Sequence, residues 1–348
     1  PRGTVKSLRL HAYEYAYVKT RSDHNWHGIQ SGWDIKRMLG TVPVEEDGSV
    51  IFKAPANTPI SIQPLDKDGV AIQWMRSWVT GQPGEVVSCI GCHEDQNQIA
   101  IPKRVIASQK APSALTLPEG GTRSFTFDLE VQPILDRACI ACHNGEGKAF
   151  DLRGGKKDDR GYGTSYLNLH PYVHRQGGEG DMVVLQPYEY HPNTSELVRL
   201  LKKGHHNVKL TDKEWKTLYN WIDYNAPDKG YFNANVLTML PYKGFDQIKR
   251  RKELTDKYAN GAGVDWKKEI ADYADYLKKQ GPITPVMPEK AAPVKEKNLK
   301  VKGWPFGSDR IKEMLAKEKE TRKVVEIAPG VKVNFVRIPA GEFVMGSY

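Results

Sequence analysis

Cys89-Ile90-Gly91-Cys92-His93 and Cys139-Ile140-Ala141-Cys142-His143 decide how the rest of this chain is read, and they use all four of its cysteines. Both follow Cys-x-x-Cys-His, the attachment signature of c-type haem. Two thiols one helical turn apart form thioethers to the porphyrin vinyl groups, and the adjacent histidine is carried under the iron. Two other uses of the same cysteines are open at this level. The pairs could supply one Cys₄ zinc site, or form short-loop disulfides or a thioredoxin-like redox pair. Neither requires a histidine directly after the second cysteine, and it is present both times. The expected cofactors are therefore two covalently attached haem c groups, held by Cys89, Cys92 and His93 and by Cys139, Cys142 and His143.

Working outward, covalent haem attachment takes place outside the cytoplasm, so the expected location is extracytoplasmic, in the periplasm or at the cell exterior. The 348 residues suit two or three domains, and the hydrophobic fraction of 39% is below the globular average. Two buried porphyrins would add apolar core that the side chains lack. No run reaches the roughly 18 apolar residues of a membrane span, and the opening Pro1-Arg2-Gly3 has none of the regions of a signal peptide. The ends therefore read as cut ends of a longer exported protein. Lys and Arg exceed Asp and Glu by 51 to 42, a net charge of +9 spread over short runs such as Lys249-Arg250-Arg251-Lys252. Such runs read as solvated faces, and without a basic groove interleaved with aromatic residues no nucleic-acid partner is expected.

The expected fold class is α+β, a small antiparallel β-sandwich followed by a mainly helical cytochrome c-like domain, each with one haem. Residues 1–100 hold short β-type runs, among them Ser7-Leu8-Arg9-Leu10, Gly40-Thr41-Val42-Pro43-Val44, Val50-Ile51-Phe52, Ile60-Ser61-Ile62 and Val70-Ala71-Ile72-Gln73-Trp74. Turn signals at Glu46-Asp47-Gly48 and Asp66-Lys67-Asp68-Gly69 separate them, and the segment ends in the first motif. Residues 101–121, with three prolines and Gly120-Gly121, read as a linker. Residues 122–280 read as the helical domain: a helix over 127–143 into the second motif, a glycine-rich loop over 145–163, and helices over 195–203, 211–225, 245–258 and 266–279. Thr211-Asp212-Lys213-Glu214 is a capping box. Residues 281–304, rich in proline and lysine, read as an exposed tether. Within residues 305–348 a helix over 308–322 leads into strand-like alternation over 333–344.

Each iron needs a sixth partner, or an open position if it is to do chemistry. With His93 and His143 assigned by motif, the remaining histidines are His11, His24, His27, His170, His174, His191, His205 and His206. For the second haem the Gly204-His205-His206 step is favoured, because a turn between two helices can aim a side chain into a helical pocket; His191 is the rival. For the first haem the nearby supply is His24 and His27. Met75 and Met182 read as core filler.

The runs 39–48 (Leu-Gly-Thr-Val-Pro-Val-Glu-Glu-Asp-Gly), Met75-Arg76-Ser77-Trp78 leading to Cys89, Lys203-Gly204-His205-His206-Asn207-Val208-Lys209-Leu210 and Trp221-Ile222-Asp223-Tyr224-Asn225-Ala226-Pro227 resemble the C-terminal dihaem region of the hydrazine synthase alpha subunit-like family. The likeness spans roughly residues 5–235. Residues 338–347 are similar to the opening strand of a formylglycine-generating-enzyme (sulfatase-modifying factor)-like domain, cut short before that family's catalytic cysteines. One position departs from the pattern. In hydrazine synthase the catalytic haem takes a Tyr a few residues past the first motif, which frees the motif histidine for zinc. Here the fourth residue past His93 is Asn97, and no Tyr occurs before Tyr162. The departure implies an ordinary His93-ligated haem and weighs against N–N bond chemistry.

Three functions follow as expectations. The leading one is a dihaem cytochrome that passes single electrons between redox partner proteins, within a larger assembly or homo-oligomer. The second is a haem enzyme acting on a small nitrogen compound or peroxide at the first haem, with Asp95, His24 or His27 in proton transfer. The third is an interaction module in which the haems serve as core.

Overall fold

A computed structural model describes residues 3–15, 28–29, 34–75, 77–90, 104–147, 149–176, 186–230, 247–258, 265–289, 307–317 and 322–336. The chain divides into two compact units, Pro1–Lys290 and Ala291–Tyr348. His24, His27, Cys92 and His93 lie outside the described residues.

The first unit is built on β1 (Ser7–Tyr15), β2 (Asp34–Pro43), β3 (Ile60–Leu65) and the two-residue β4 (Arg123–Ser124). They form one antiparallel sheet in the order β3-β1-β2-β4. Alternation along β1 sends Leu10 and Ala12 to one face, where they join Leu39, Val42 and Ile60 in a small apolar cluster. Arg9 and His11, also buried, go to the other face. At the bulge between Leu10 and His11 the partner is Gly40, whose φ of +148° and approach to the Thr116 carbonyl, 2.6 Å from where a Cβ would stand, exclude any side chain.

The expected second sheet of a sandwich does not occur among the described residues. The polar residues on the second face of β1 and β3 bond instead to the end of a helix, α5 (Asp212–Asp223). Arg9 Nη1 donates to Gln63 Oε1 and to Asp223 Oδ2, each at 3.0 Å, and Gln63 Nε2 donates to the Asp223 carbonyl at 2.8 Å. Asp223 Oδ2 also accepts from the Ala71 N–H. Burial outweighs the Arg9 charge and holds the Asp223 carboxyl up at about 6. The expected linker packs as well: Thr116 bridges to Thr41 and Ser113 to Phe52, and just beyond it β4 adds to the edge of β2.

The helical part continues from β4. The helix expected over 127–143 is two, α1 (Phe127–Glu130) and α2 (Gln132–Ala138), because Pro133 has no N–H to continue the ladder and suits the first turn of a new helix. α3 (Thr164–Leu169) was not foreseen, while α4 (Glu196–Lys202) and α5 fall inside their expected spans. The capping box of α5 is present in both directions between Thr211 and Glu214. Phe127, Val131, Tyr166, Val198, Trp221 and Ile222 form the shared core. α6 (Gln247–Tyr258) and α7 (Trp266–Lys279) follow. α7 is fastened by Tyr273, whose hydroxyl donates to Glu130 Oε2 at 2.9 Å while its ring lies under the Arg123 guanidinium. Residues 281–289, expected as free tether, are pinned at Val286 N–H to the Arg137 carbonyl, 2.7 Å, and at the Glu289 carbonyl by Asn207 Nδ2, 3.3 Å.

The second unit contains α8 (Ser308–Ala316) and the hairpin of β5 (Arg322–Ala328) with β6 (Val331–Val336), in register at Val325 and Val333. The strand pattern thus begins earlier than residue 333.

Candidate functional site

The second Cys-x-x-Cys-His motif completes the last turn of α2. Cys139 N–H bonds the Leu135 carbonyl and His143 N–H bonds the Cys139 carbonyl, both at 2.9 Å. This winds Cys139, Cys142 and His143 onto one helical turn, the arrangement that two-point attachment to a flat macrocycle requires. Burial pushes the Cys139 thiol up to about 12, while Cys142 is exposed. A thiol held neutral is a poor nucleophile for redox exchange. Both sulfurs are free of disulfide bonds.

The loop after the motif returns to hold its histidine. Leu152 N–H bonds the His143 carbonyl at 2.9 Å, and the His143 Nδ1 lies 3.0 Å from the Phe150 carbonyl oxygen. A carbonyl only accepts, so Nδ1 carries a proton, and in the neutral ring the lone pair is on Nε2. This is the tautomer of a metal-ligating histidine oriented by its backbone partner. The Phe150 ring lies 4.8 Å from the imidazole and stacks on Tyr172.

The other arm of the site comes from the turn after α4. Gly204 (φ 89°) and His206 (φ 43°) both take left-handed backbone and set up the tight His205–Asn207 turn. This places the half-buried His205 ring 6.1 Å from that of His143, with the exposed His206 ring 4.6 Å beyond His205. The two arms are locked together by Arg137, which forms a two-pronged pair with Glu214 and donates to the Lys209 carbonyl at 3.0 Å. A metal–imidazole bond of about 2.0 Å, with the ring centre about 1.1 Å beyond the nitrogen, puts two rings on opposite sides of one ion about 6.2 Å apart. The 6.1 Å between ring centres is long enough for one ion to lie between the two imidazoles, and with Cys139, Cys142 and His143 on one turn the residues present fit a haem c group.

His191, the rival ligand, is engaged elsewhere. It is buried against Tyr188, its Nδ1 accepts from the Asn193 N–H, and its Nε2 is 3.5 Å from Asp66. His170 accepts from Arg175, and His174 bonds Thr194. His11 is sealed beneath the sheet, where burial holds its pKa well below the usual histidine range. Among the described residues no group of three or more His, Cys, Asp or Glu gathers in a metal-binding arrangement. A porphyrin supplies four ligands itself and asks only two of the protein. Of the first motif only Cys89 and Ile90 are described, both exposed. The residues that sequence reasoning missed are Phe150, which acts through a backbone carbonyl, and Arg137; only the charge of Arg137 leaves a trace in the sequence.

Comparison with known proteins bears most specifically on the first quarter of the chain. Residues 3–94 match the family described as hydrazine synthase alpha subunit middle domain. The match covers about a quarter of the chain and runs through the first motif. The solved structure of Kuenenia stuttgartiensis hydrazine synthase aligns with 66% of this chain at 18% identity and a TM-score of 0.44. This chain covers 40% of that one. No curated protein matches the chain. Among the described residues no helix is long and apolar enough to cross a membrane.

Proposed function

We propose that this chain is an extracytoplasmic dihaem cytochrome unit that transfers single electrons between redox partner proteins within a larger assembly or homo-oligomer. One haem c would be held by Cys89, Cys92 and His93 and the other by Cys139, Cys142 and His143. The observation that carries the reading is the close pair of His143 and His205, with the Nδ1 proton of His143 tied to the Phe150 carbonyl. A bound haem supplies a one-electron couple. The chain's own part is to fix the group through two sulfurs and to orient the His143 ring through its Nδ1 bond to the Phe150 carbonyl. It also presents His205 from the opposite arm and walls the site with Phe150, Tyr172 and Ile140, which lie against the core. With His143 and His205 both holding the iron, the bound group would have a lower potential than with a His/Met pair.

Replacing His205 tests this directly. In the reduced His205→Ala chain one haem should lose its low-spin spectrum and bind carbon monoxide, whereas the parent leaves that haem closed. An unchanged low-spin spectrum would remove His205 from the site.

The match of residues 3–94 to the hydrazine synthase alpha subunit middle domain favours a second reading, in which the first haem is reactive toward a small nitrogen compound or peroxide. Asp95, His24 or His27 would then move protons. In that reading the unmodified reduced chain binds one carbon monoxide at its first haem; failure to bind any would exclude it.

A further inference from the structure

We infer that residues 281–289 form the outer wall of the second haem site, a strap that joins its two arms and lays Val286 and Met287 along the porphyrin edge. The inference rests on the reading of Cys139, Cys142 and His143 as a haem site. It begins where α7 ends, at Gly281 (φ 96°), and runs Gly281-Pro282-Ile283-Thr284-Pro285-Val286-Met287-Pro288-Glu289. Prolines at every third position fix φ and remove N–H groups, so the strap can join neither a helix nor a sheet interior and is held extended. No charge occurs between Gly281 and Pro288, whereas residues 289–302 carry a Glu or Lys at every few positions. A solvated tether has no use for an uncharged stretch containing Ile283, Val286 and Met287.

The two anchors say where the stretch belongs. The Val286 N–H bonds the carbonyl of Arg137, two residues before Cys139. The Glu289 carbonyl accepts from Asn207, two residues after His205. Three residues span at most about 10 Å, so residues 286–289 cross from the arm that carries the sulfurs to the arm that carries the His205 imidazole. Val286, at the first anchor, is 49% exposed and Met287, next to it, 66% exposed, an apolar pair held beside the site by hydrogen bonds on either side. A flat apolar macrocycle attached at Cys139 and Cys142 is the surface that would cover them. Shielding a haem edge from water disfavours the more highly charged oxidised state, so the strap would raise the potential of the second haem.

The test compares three forms of the full chain produced with haem attachment: the parent, Val286→Pro, which deletes the anchoring N–H, and the Cys139→Ala/Cys142→Ala double variant, which cannot hold the second haem. Haem content is measured first, then hydrogen exchange of peptides spanning residues 281–289, then the potential of each haem. Exchange in the strap should be at least tenfold faster in both variants than in the parent, and Val286→Pro should lower the second haem's potential while leaving two haems in place. Equal exchange in all three forms, or an unmoved potential in Val286→Pro, would overturn the strap while leaving the haem assignment intact. A haem content that is the same in the parent and in the Cys139→Ala/Cys142→Ala variant would overturn the assignment itself, and the strap with it.

Discussion

Removing the carboxylate of Asp223 should unfold much of the first unit's stability margin. Asp223 is fully buried, and its Oδ2 accepts from Arg9 Nη1 and the Ala71 N–H, each at 3.0 Å. Arg9 is 3% exposed and donates besides to Gln63, the Gly69 carbonyl and Asn220. Asp223→Ala would strand a buried guanidinium, for which the expected cost is about 3–5 kcal/mol. At about 1.4 kcal/mol per decade that is a fall of some two to three and a half decades in the folded-to-unfolded ratio, against a total of about 5–15 kcal/mol. Asp223→Asn retains an oxygen acceptor and should cost about half as much. The desolvation that holds the Asp223 carboxyl at about 6 says that the pair is expensive to bury, so Arg9→Met/Asp223→Leu should recover most of the loss. Urea unfolding followed by far-ultraviolet circular dichroism measures all four chains. A cost below about 1 kcal/mol for Asp223→Ala, or a double variant no better than the single, would refute the claim that this pair fastens the sheet to α5.

His170 is neutral in the fold, where burial and then Arg175 hold its pKa at about 4. Because the folded value is below the unfolded value of about 6.5, stability is full above that pH and falls as pH drops toward 4, by about 3 kcal/mol. His170→Gln should flatten the slope of unfolding free energy between pH 6.5 and 4; an unchanged slope would place the acid sensitivity elsewhere. Gly230→Ala would set a Cβ 2.1 Å from the Phe125 carbonyl oxygen and should cost several kcal/mol in the same unfolding assay, whereas near-parent stability would show that the contact relaxes freely. Thr211→Ala removes one half of the α5 capping box and should cost about 1 kcal/mol, read as a small fall in the urea midpoint; no fall would mean that Glu214 holds the cap alone.

Local signals in this sequence were legible where the structure depends on neighbours in the chain. The capping box fixes the start of α5, and the span 266–279 expected for α7 coincides with Trp266–Lys279 because apolar period and flanking residues agree. The second motif is wound on one helical turn, as its spacing implies. What stayed hidden depends on distant partners. β4 is two residues long and has no period to read; it exists because β2 offers an edge. Arg9 and Asp223 are 214 positions apart, so nothing local says that a polar strand face will be covered by a helix terminus instead of a second sheet. At the site, the turn at Gly204 singles out His205, whereas the contacts of His191 with Asp66 and Tyr188 are long-range or conformational and leave no mark in the sequence. The Phe150 carbonyl that orients His143 has no side-chain signature at all.

The most direct test is to count what is bound to the chain after expression in a host that exports it and attaches haem. Intact mass and the pyridine haemochrome spectrum should give two porphyrins per polypeptide, both surviving denaturation, with one lost in the Cys139→Ala/Cys142→Ala variant and the other in a Cys89→Ala/Cys92→Ala variant. A chain whose mass shows bare cysteines, a disulfide at either motif or one zinc ion shared between the two would contradict the account.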